Sequence, residues 1–543
     1  MHDGLQKSLH LLSRTKNEAA TAVLLLGLRS PQRATQMHCL QTLLERRSDG
    51  GHAEILAMWH ELPEELCQIA ADYPGRLTKA IRDALFSADA RRRINACRAA
   101  AEAAEYDLIP VLVNACEDRR NPVSDLAADT LVKICTQLCE EAAGRRDYNR
   151  RDPQMVRARM LASLEASVQR YADHRREAPL LAFLLLAGRE NPTLLRILQD
   201  PKDAAHDPLC LLLSQSGAEG VLRLLLDFLE ERQPPVKAIK TIQKRKDLLF
   251  VRSLLAKTGP MPRGVVKDHL FATKNWAWLD NDLSMLAGLN EQEQTAAVAL
   301  VAESGMRPDA VRRTLTWLAE HGASEGRAAA ILALKNHQDE DSDSLVLKAL
   351  KDPDPDVQAA AILQLRERGV PGAMRELLAR VDSPYPQVAE AVRVSLAEFT
   401  LDRFLGAFDM LDDQVRRQTG ELVRRVDPQV VRRLQAEMAN AVSARRRRAI
   451  EATVVMEMVG ELENDLCARL QDDDHLVRRA AVNALAGQNT PESRQALRGA
   501  LLDRSPVVRR AVETALRGAK AASPKTNANR NDGGVLVTAG GGK

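Results

Sequence analysis

Aromatic side chains make up only 3% of the 543 residues, which argues against a large sheet core and favours small-residue helix packing. An excess of charge is also missing. The 77 basic residues face 74 acidic ones, for a formal net charge of +3, so no whole-molecule field draws the chain onto a polyanion or an anionic membrane. Long apolar runs are absent too: the longest, "PLLAFLLLAG" at 179–188, is far short of the roughly 20 residues of a spanning helix. It reads as a buried helix, and no membrane partner is expected. The start "MHDGLQKSLHLLSRTKNEAA" lacks a cationic opening, an apolar core and a small-residue cleavage site. A cytoplasmic location is the expectation. The eight cysteines are scattered through apolar helical stretches and are expected to be reduced core thiols.

Catalytic and metal patterns are equally scarce. "CTQLC" puts Cys135 and Cys139 on one helical face without the further ligands a four-coordinate site needs. "WHELPEEL" has His60 and Glu61 but no histidine four residues on, so the helical zinc-protease pattern fails. In "LQDDDHLVR" the run Asp472, Asp473, Asp474 and His475 falls in an inter-helix turn, where aspartate caps helices. The terminal "GGGK" is followed by no helix or hydroxyl residue and is no phosphate loop. No catalytic residue, metal site or cofactor is expected.

What is present is a repeat. "DRSPVVRRAVETAL" (503–516) aligns under "DDDHLVRRAAVNAL" (472–485), with Val508 and Val477 31 residues apart. The same step leads back to Arg446 and then Val415; upstream, Val388, Val357 and Gly326 are again 31 apart, and the single step of 27 joins Val388 to Val415. From these seven positions apolar or small residues recur at helical spacing, as in Val477, Ala480, Ala481, Ala484 and Leu485. That is one buried face of an amphipathic helix. Ser505-Pro506 and Asp354-Pro355 place a capping side chain before a first-turn proline, and shorter amphipathic stretches such as "TPESRQALRGALL" lie between. Each unit is therefore a helix pair that must stack on its neighbours to bury both faces. The expected fold is all-α: a right-handed α-solenoid of stacked antiparallel helix pairs.

A repeat of about 31 residues with "DPxxxVRxxAxxAL"-like second helices over roughly 320–520 resembles the HEAT repeat, in the short form common in bacterial HEAT-like proteins. The resemblance implies a ladder in which a turn aspartate and an arginine six residues later link successive repeats. Asp503 with Arg509 and Asp472 with Arg478 fit that spacing; Gln358 and Ala389 replace the arginine, and the 415 and 446 copies lack the aspartate. The ladder is expected to be discontinuous. Some HEAT-like proteins are lyases or DNA glycosylases, but their functional residues find no counterpart here, so the resemblance implies no enzyme.

Upstream, Ala90, Asn121 and Asp152 keep the 31-residue step and Ser30-Pro31 opens an earlier unit. Between about 160 and 320 the pattern stays helical but loses register, with breaks at "ERQPPVK" and "KTGPMPRG". The expected organisation is a divergent solenoid over 1–165, a divergent helical segment over 166–320, regular repeats over 321–520 and a disordered, glycine-rich tail over 521–543.

Two binding features stand out. The first is a column of arginine pairs, Arg416 and Arg417, Arg447 and Arg448, Arg478 and Arg479, Arg509 and Arg510, brought about 10 Å apart by stacking. One member of each pair is free to serve the ladder and the other to meet an acidic protein segment. In this alignment Arg446 stands in the valine slot. Over 411–520 the chain carries 20 basic and 16 acidic residues, an excess of four, which makes nucleic acid the weaker alternative. The second is "KNWAWLDND": Trp276 and Trp278 are two apart, so on a helix one of them faces out as an anchor. The basic helix "VKAIKTIQKRKDLL" at 236–249 reads as a solvated outer face. The expected role is a non-enzymatic scaffold that holds a protein partner on its concave helix face, its oligomeric state open.

Overall fold

The computed structural model describes residues 3–144, 152–280, 282–488 and 490–521. The tail expected over 521–543 lies, from residue 522, outside the described residues. Every regular element among the described residues is helical, and compactness divides the chain into two units, Met1–Ala333 and Leu334–Lys543.

In the first unit helices form two layers. In one layer Ala90–Glu102, Ser124–Ala143, Glu177–Leu186, Glu219–Asp227, Leu248–Thr258, Glu291–Glu303 and Ser324–Ala333 each pack on the next. The stack therefore runs through the segment where sequence periodicity fades. From Glu177 to Glu291 successive members begin 42, 29 and 43 residues apart, so no fixed step finds them. The run at 179–188 is the core of Glu177–Leu186, whose Phe183, Leu184 and Leu186 are fully buried. No single described helix is long and apolar enough to cross a membrane; His206–Gln215 and Glu219–Glu230 pass that test only together, bent by 107° at their break.

Much of this stacking is fastened by arginines that reach back roughly one repeat to carbonyls at a helix end. Arg46 donates to the carbonyls of Thr15 and Asn17, Arg245 to Leu213 and Ser216, and Arg313 to Leu279 and Asp280. The last carbonyls of a helix have no partner within it, so a buried helix end needs such donors. Gln294, 3% exposed, clamps a further joint: its amide donates to the carbonyls of Leu286 and Leu289 and its oxygen accepts from the Ala323 N–H.

In the second unit Pro355–Ile362 packs on Pro386–Ser395, and Asp413–Val426, Ser443–Val455, His475–Leu485 and Pro506–Ala521 follow one another in a single layer. Leu401–Ala407, Val430–Met438, Glu463–Arg469 and Pro491–Gly499 supply the second helix of the pairs. Val423, Ile450, Val477, Leu485, Val508 and Val512 belong to one continuous core. Aspartates 412 and 474 accept N–H bonds at the starts of two of these helices, as the sequence signals require.

Candidate functional site

The arginine column sits on the first turns of Asp413–Val426, Ser443–Val455, His475–Leu485 and Pro506–Ala521. Its geometry separates the members of each pair. Arg478 is almost fully buried, its side chain 4% exposed. Its Nη1 donates to the carbonyls of Asp472 and Asp473 in its own turn, at 2.7 and 3.1 Å. Nε and Nη2 reach forward in a fork to both carboxylate oxygens of Asp503, at 2.8 and 3.0 Å. This two-point contact is the strong geometry for guanidinium and carboxylate, and it ties one repeat to the next. The Arg478 hydrogen bonds hold the Asp503 carboxyl below its ordinary range.

Arg446 repeats this arrangement. Its Nη1 donates to Asn440 and Ala441, and Nε and Nη2 to Asp472 at 2.8 and 2.7 Å. Burial, the largest single influence, raises the Asp472 pKa, but the Arg446 hydrogen bonds, the Asp474 N–H and the Arg446 and Arg469 charges together outweigh it and the net shift is downward. Arg446 is thus a ladder arginine, and the alignment that put it in the valine slot is corrected by one residue. The step from Arg446 to Arg478 is 32 residues, against 31 from Arg478 to Arg509, and the extra residue escapes a strict 31-residue comparison. In the corrected alignment Arg445, exposed and 3.5 Å from Glu437, takes the position that Val477 holds in the next repeat. Arg448 leaves the column and pairs back with Asp409 of the preceding repeat.

Two full rungs result, Arg446 to Asp472 and Arg478 to Asp503. At one end Arg509 donates to its own Asp503 carbonyl. At the other, Arg416 donates to Phe408 and Leu411 carbonyls and stacks 4.5 Å over the Phe408 ring. Gln358 keeps the backbone half of the contact, donating at 2.8 Å to the Asp352 carbonyl six residues before it.

The corrected outer column is Arg417, Arg447, Arg479 and Arg510. Arg417 and Arg510 are exposed; Arg447 and Arg479 are partly so. Arg417 donates to the Asp413 carbonyl of its own helix, Arg447 lies 3.6 Å from Glu451 of its own helix with its Nε lacking a hydrogen-bond partner, and none of the four contacts a carboxylate from a neighbouring repeat among the described residues.

The tryptophans do not provide an anchor. Trp276 and Trp278 are 1% and 3% exposed. The segment is not an α-helix: Trp276 is extended and Ala277–Leu279 is a 3₁₀ turn, so residues two apart both turn inward. Both indole N–H groups lack a partner. Six of the eight cysteines are buried, and burial pushes Cys67 up to about 12, so these thiols are poor nucleophiles. No group of three or more His, Cys, Asp or Glu among the described residues is placed to hold a metal ion.

Layers of paired helices joined repeat to repeat by buried arginine–aspartate rungs define an α-solenoid of helix-pair repeats. Residues 291–397 and 433–517 match the family model of HEAT repeats. Among solved structures it is similar to a Kap121p mutant (13% identity, 95% of this chain and 54% of that one, TM-score 0.26). It is also similar to a chain from a study of the interaction between cadherin and beta-catenin (12%, 92% and 99%, 0.33), and to importin beta (15%, 92% and 69%, 0.23). The chain spans about half the length of the Kap121p chain. No curated protein sequence matches.

Proposed function

We propose that the protein is a non-enzymatic scaffold whose second unit holds an acidic segment of a protein partner along Arg417, Arg447, Arg479 and Arg510. One observation carries this reading. In successive repeats one arginine is consumed by the rung, while its neighbour in the chain has no carboxylate across the repeat boundary. Arginines at one position of successive stacked helices form a row about 10 Å apart, a spacing suited to carboxylates along an extended segment. The regional excess of only four positive charges favours such a segment over the denser charge of nucleic acid.

The test is a titration of a labelled glutamate-rich peptide against wild type and against Arg417→Glu, Arg447→Glu, Arg479→Glu and Arg510→Glu combined. Loss of binding at least about tenfold supports the reading. Unchanged binding refutes it, as does tighter, steeply salt-dependent binding of duplex or single-stranded DNA through the same residues.

A further inference from the structure

The first unit carries a basic feature that the arginine column does not involve. His206–Gln215 and Val236–Lys244 pack side by side, and the groove between them, about 510 Å³, is lined by Lys237, Lys240, Lys244 and Lys246. All four lysines are exposed, and none makes an ion pair among the described residues. Lys257 and Lys267 of the same unit, by contrast, pair with Asp227 and Glu230 and with Glu303. Lys237, Lys240 and Lys244 share one helical face, a like-charge spacing that weakens a helix unless something opposes it.

The acids nearby do not oppose it. Asp207 lines the groove with its side chain 92% exposed, Asp247 is engaged by Arg245 at 2.9 Å, and Asp282 accepts from its own Ser284. Arg245, the one arginine on the wall, is spent on Asp247 and two carbonyls. At Lys246 the groove meets a second depression of about 470 Å³, lined also by Trp278 and Met285. Trp278 is nine-tenths buried or more, and its indole N–H has no partner. Four lysines without ion pairs thus face only Asp207 and Asp282 along this path, with Leu211, 49% exposed, and Met285 as apolar steps between them.

We infer that this groove is a docking site for an extended, carboxylate-rich segment of a partner protein with interspersed apolar residues. Charge complementarity selects the occupant. Single-stranded nucleic acid binds on exposed aromatic platforms, and the tryptophan here is buried. A phosphate is best gripped by a free arginine fork, and the arginine here has none to give. A bilayer is flat, whereas these lysines line a recess. Point-like ammonium groups in a recess suit carboxylates.

The experiment uses the full chain and a labelled peptide of glutamates interspersed with leucines. A carbodiimide joins its carboxylates to lysine amines in contact and leaves arginine untouched. The glutamine counterpart of the peptide, oligodeoxythymidylate and phosphatidylserine vesicles are run beside it. The expected result is coupling at Lys237, Lys240, Lys244 or Lys246 and, because the variants lack the amines that couple, at least about tenfold weaker peptide binding by fluorescence anisotropy when all four are changed to glutamate. Change of all four to glutamine, which keeps the helix, gives a smaller loss of peptide affinity in the same direction. Reversal of Arg417, Arg447, Arg479 and Arg510 leaves coupling at the lysines unchanged. Absence of coupling at these lysines, or coupling there that falls only with the arginine reversals, overturns the inference and leaves the arginine reading standing. DNA or vesicles that bind through the same lysines at least as tightly as the peptide also overturn it.

Discussion

Replacing Asp503 by alanine is the sharpest probe of how the repeats are joined. The substitution leaves Arg478, 4% exposed, facing a vacated position across the repeat boundary while its Nη1 stays on the Asp472 and Asp473 carbonyls. Removing one partner of a buried ion pair costs about 3–5 kcal/mol; the two backbone bonds retained put the expectation at the lower end, about 3 kcal/mol. In a stack of repeats such a loss falls on the interface it breaks. Here that is the joint between His475–Leu485 and Pro506–Ala521. Native-state amide exchange reads it directly. Protection in Pro506–Ala521 should fall by about two orders of magnitude, the equivalent of that energy, while Ser443–Val455 changes by less than about threefold. Asp503→Leu with Arg478→Met, which removes both charges, should recover most of the loss. A fall below about threefold in the last helix, or an equal fall throughout the unit, refutes the rung as the joint.

The remaining expectations follow from the same contacts. Because Asp472 and Asp503 are held below the ordinary carboxylate range, the rungs contribute in full above the unfolded carboxylate pKa. That contribution disappears as pH falls through the folded values, so acid melts of wild type and Asp503→Ala should converge at the low end. Gln294→Ala removes three hydrogen bonds, two of them buried, and should cost about 2–3 kcal/mol in a urea melt. Gly326→Val should be destabilising by about 1–3 kcal/mol, and much less so on a Gln294→Ala background, since a Cβ at Gly326 lies 2.3 Å from the Gln294 side-chain oxygen. Arg245→Met strips the donors from the Leu213 and Ser216 carbonyls and should lower the melting temperature of the first unit without altering the second.

The helical repeat was legible because its buried positions are valine, alanine and leucine at helical spacing and its turns carry caps. The rest failed for identifiable reasons. Gly326 stands in a valine slot because Gln294 fills the space a valine needs, a reason that only the packing of its helix on Glu291–Glu303 reveals. Arg446 was misplaced because one inserted residue shifts a contact that hydrogen bonding restores. Arginine-to-carbonyl fasteners such as Arg245 and Arg313 carry no sequence signature at all, since their acceptors are backbone. Trp276 and Trp278 would diverge on a helix, but the chain is extended at Trp276 and makes a 3₁₀ turn at Ala277–Leu279, which sends both inward. The lysines of 236–246 were visible, but the groove they line depends on Asp207, Cys210, Leu211 and Ser214 of a separate helix.

The division of the arginines into structural and free sets is the central claim, and one paired measurement tests it. Thermal denaturation and glutamate-rich peptide binding are recorded for Arg446→Met with Arg478→Met, and for Arg417→Glu, Arg447→Glu, Arg479→Glu and Arg510→Glu combined. The first variant should melt several degrees lower, by about 4 °C or more, with peptide bound by whatever remains folded. The second should melt close to wild type and lose the peptide. A free set whose reversal unfolds the unit, or a structural set whose loss leaves the melt unchanged, would contradict the account.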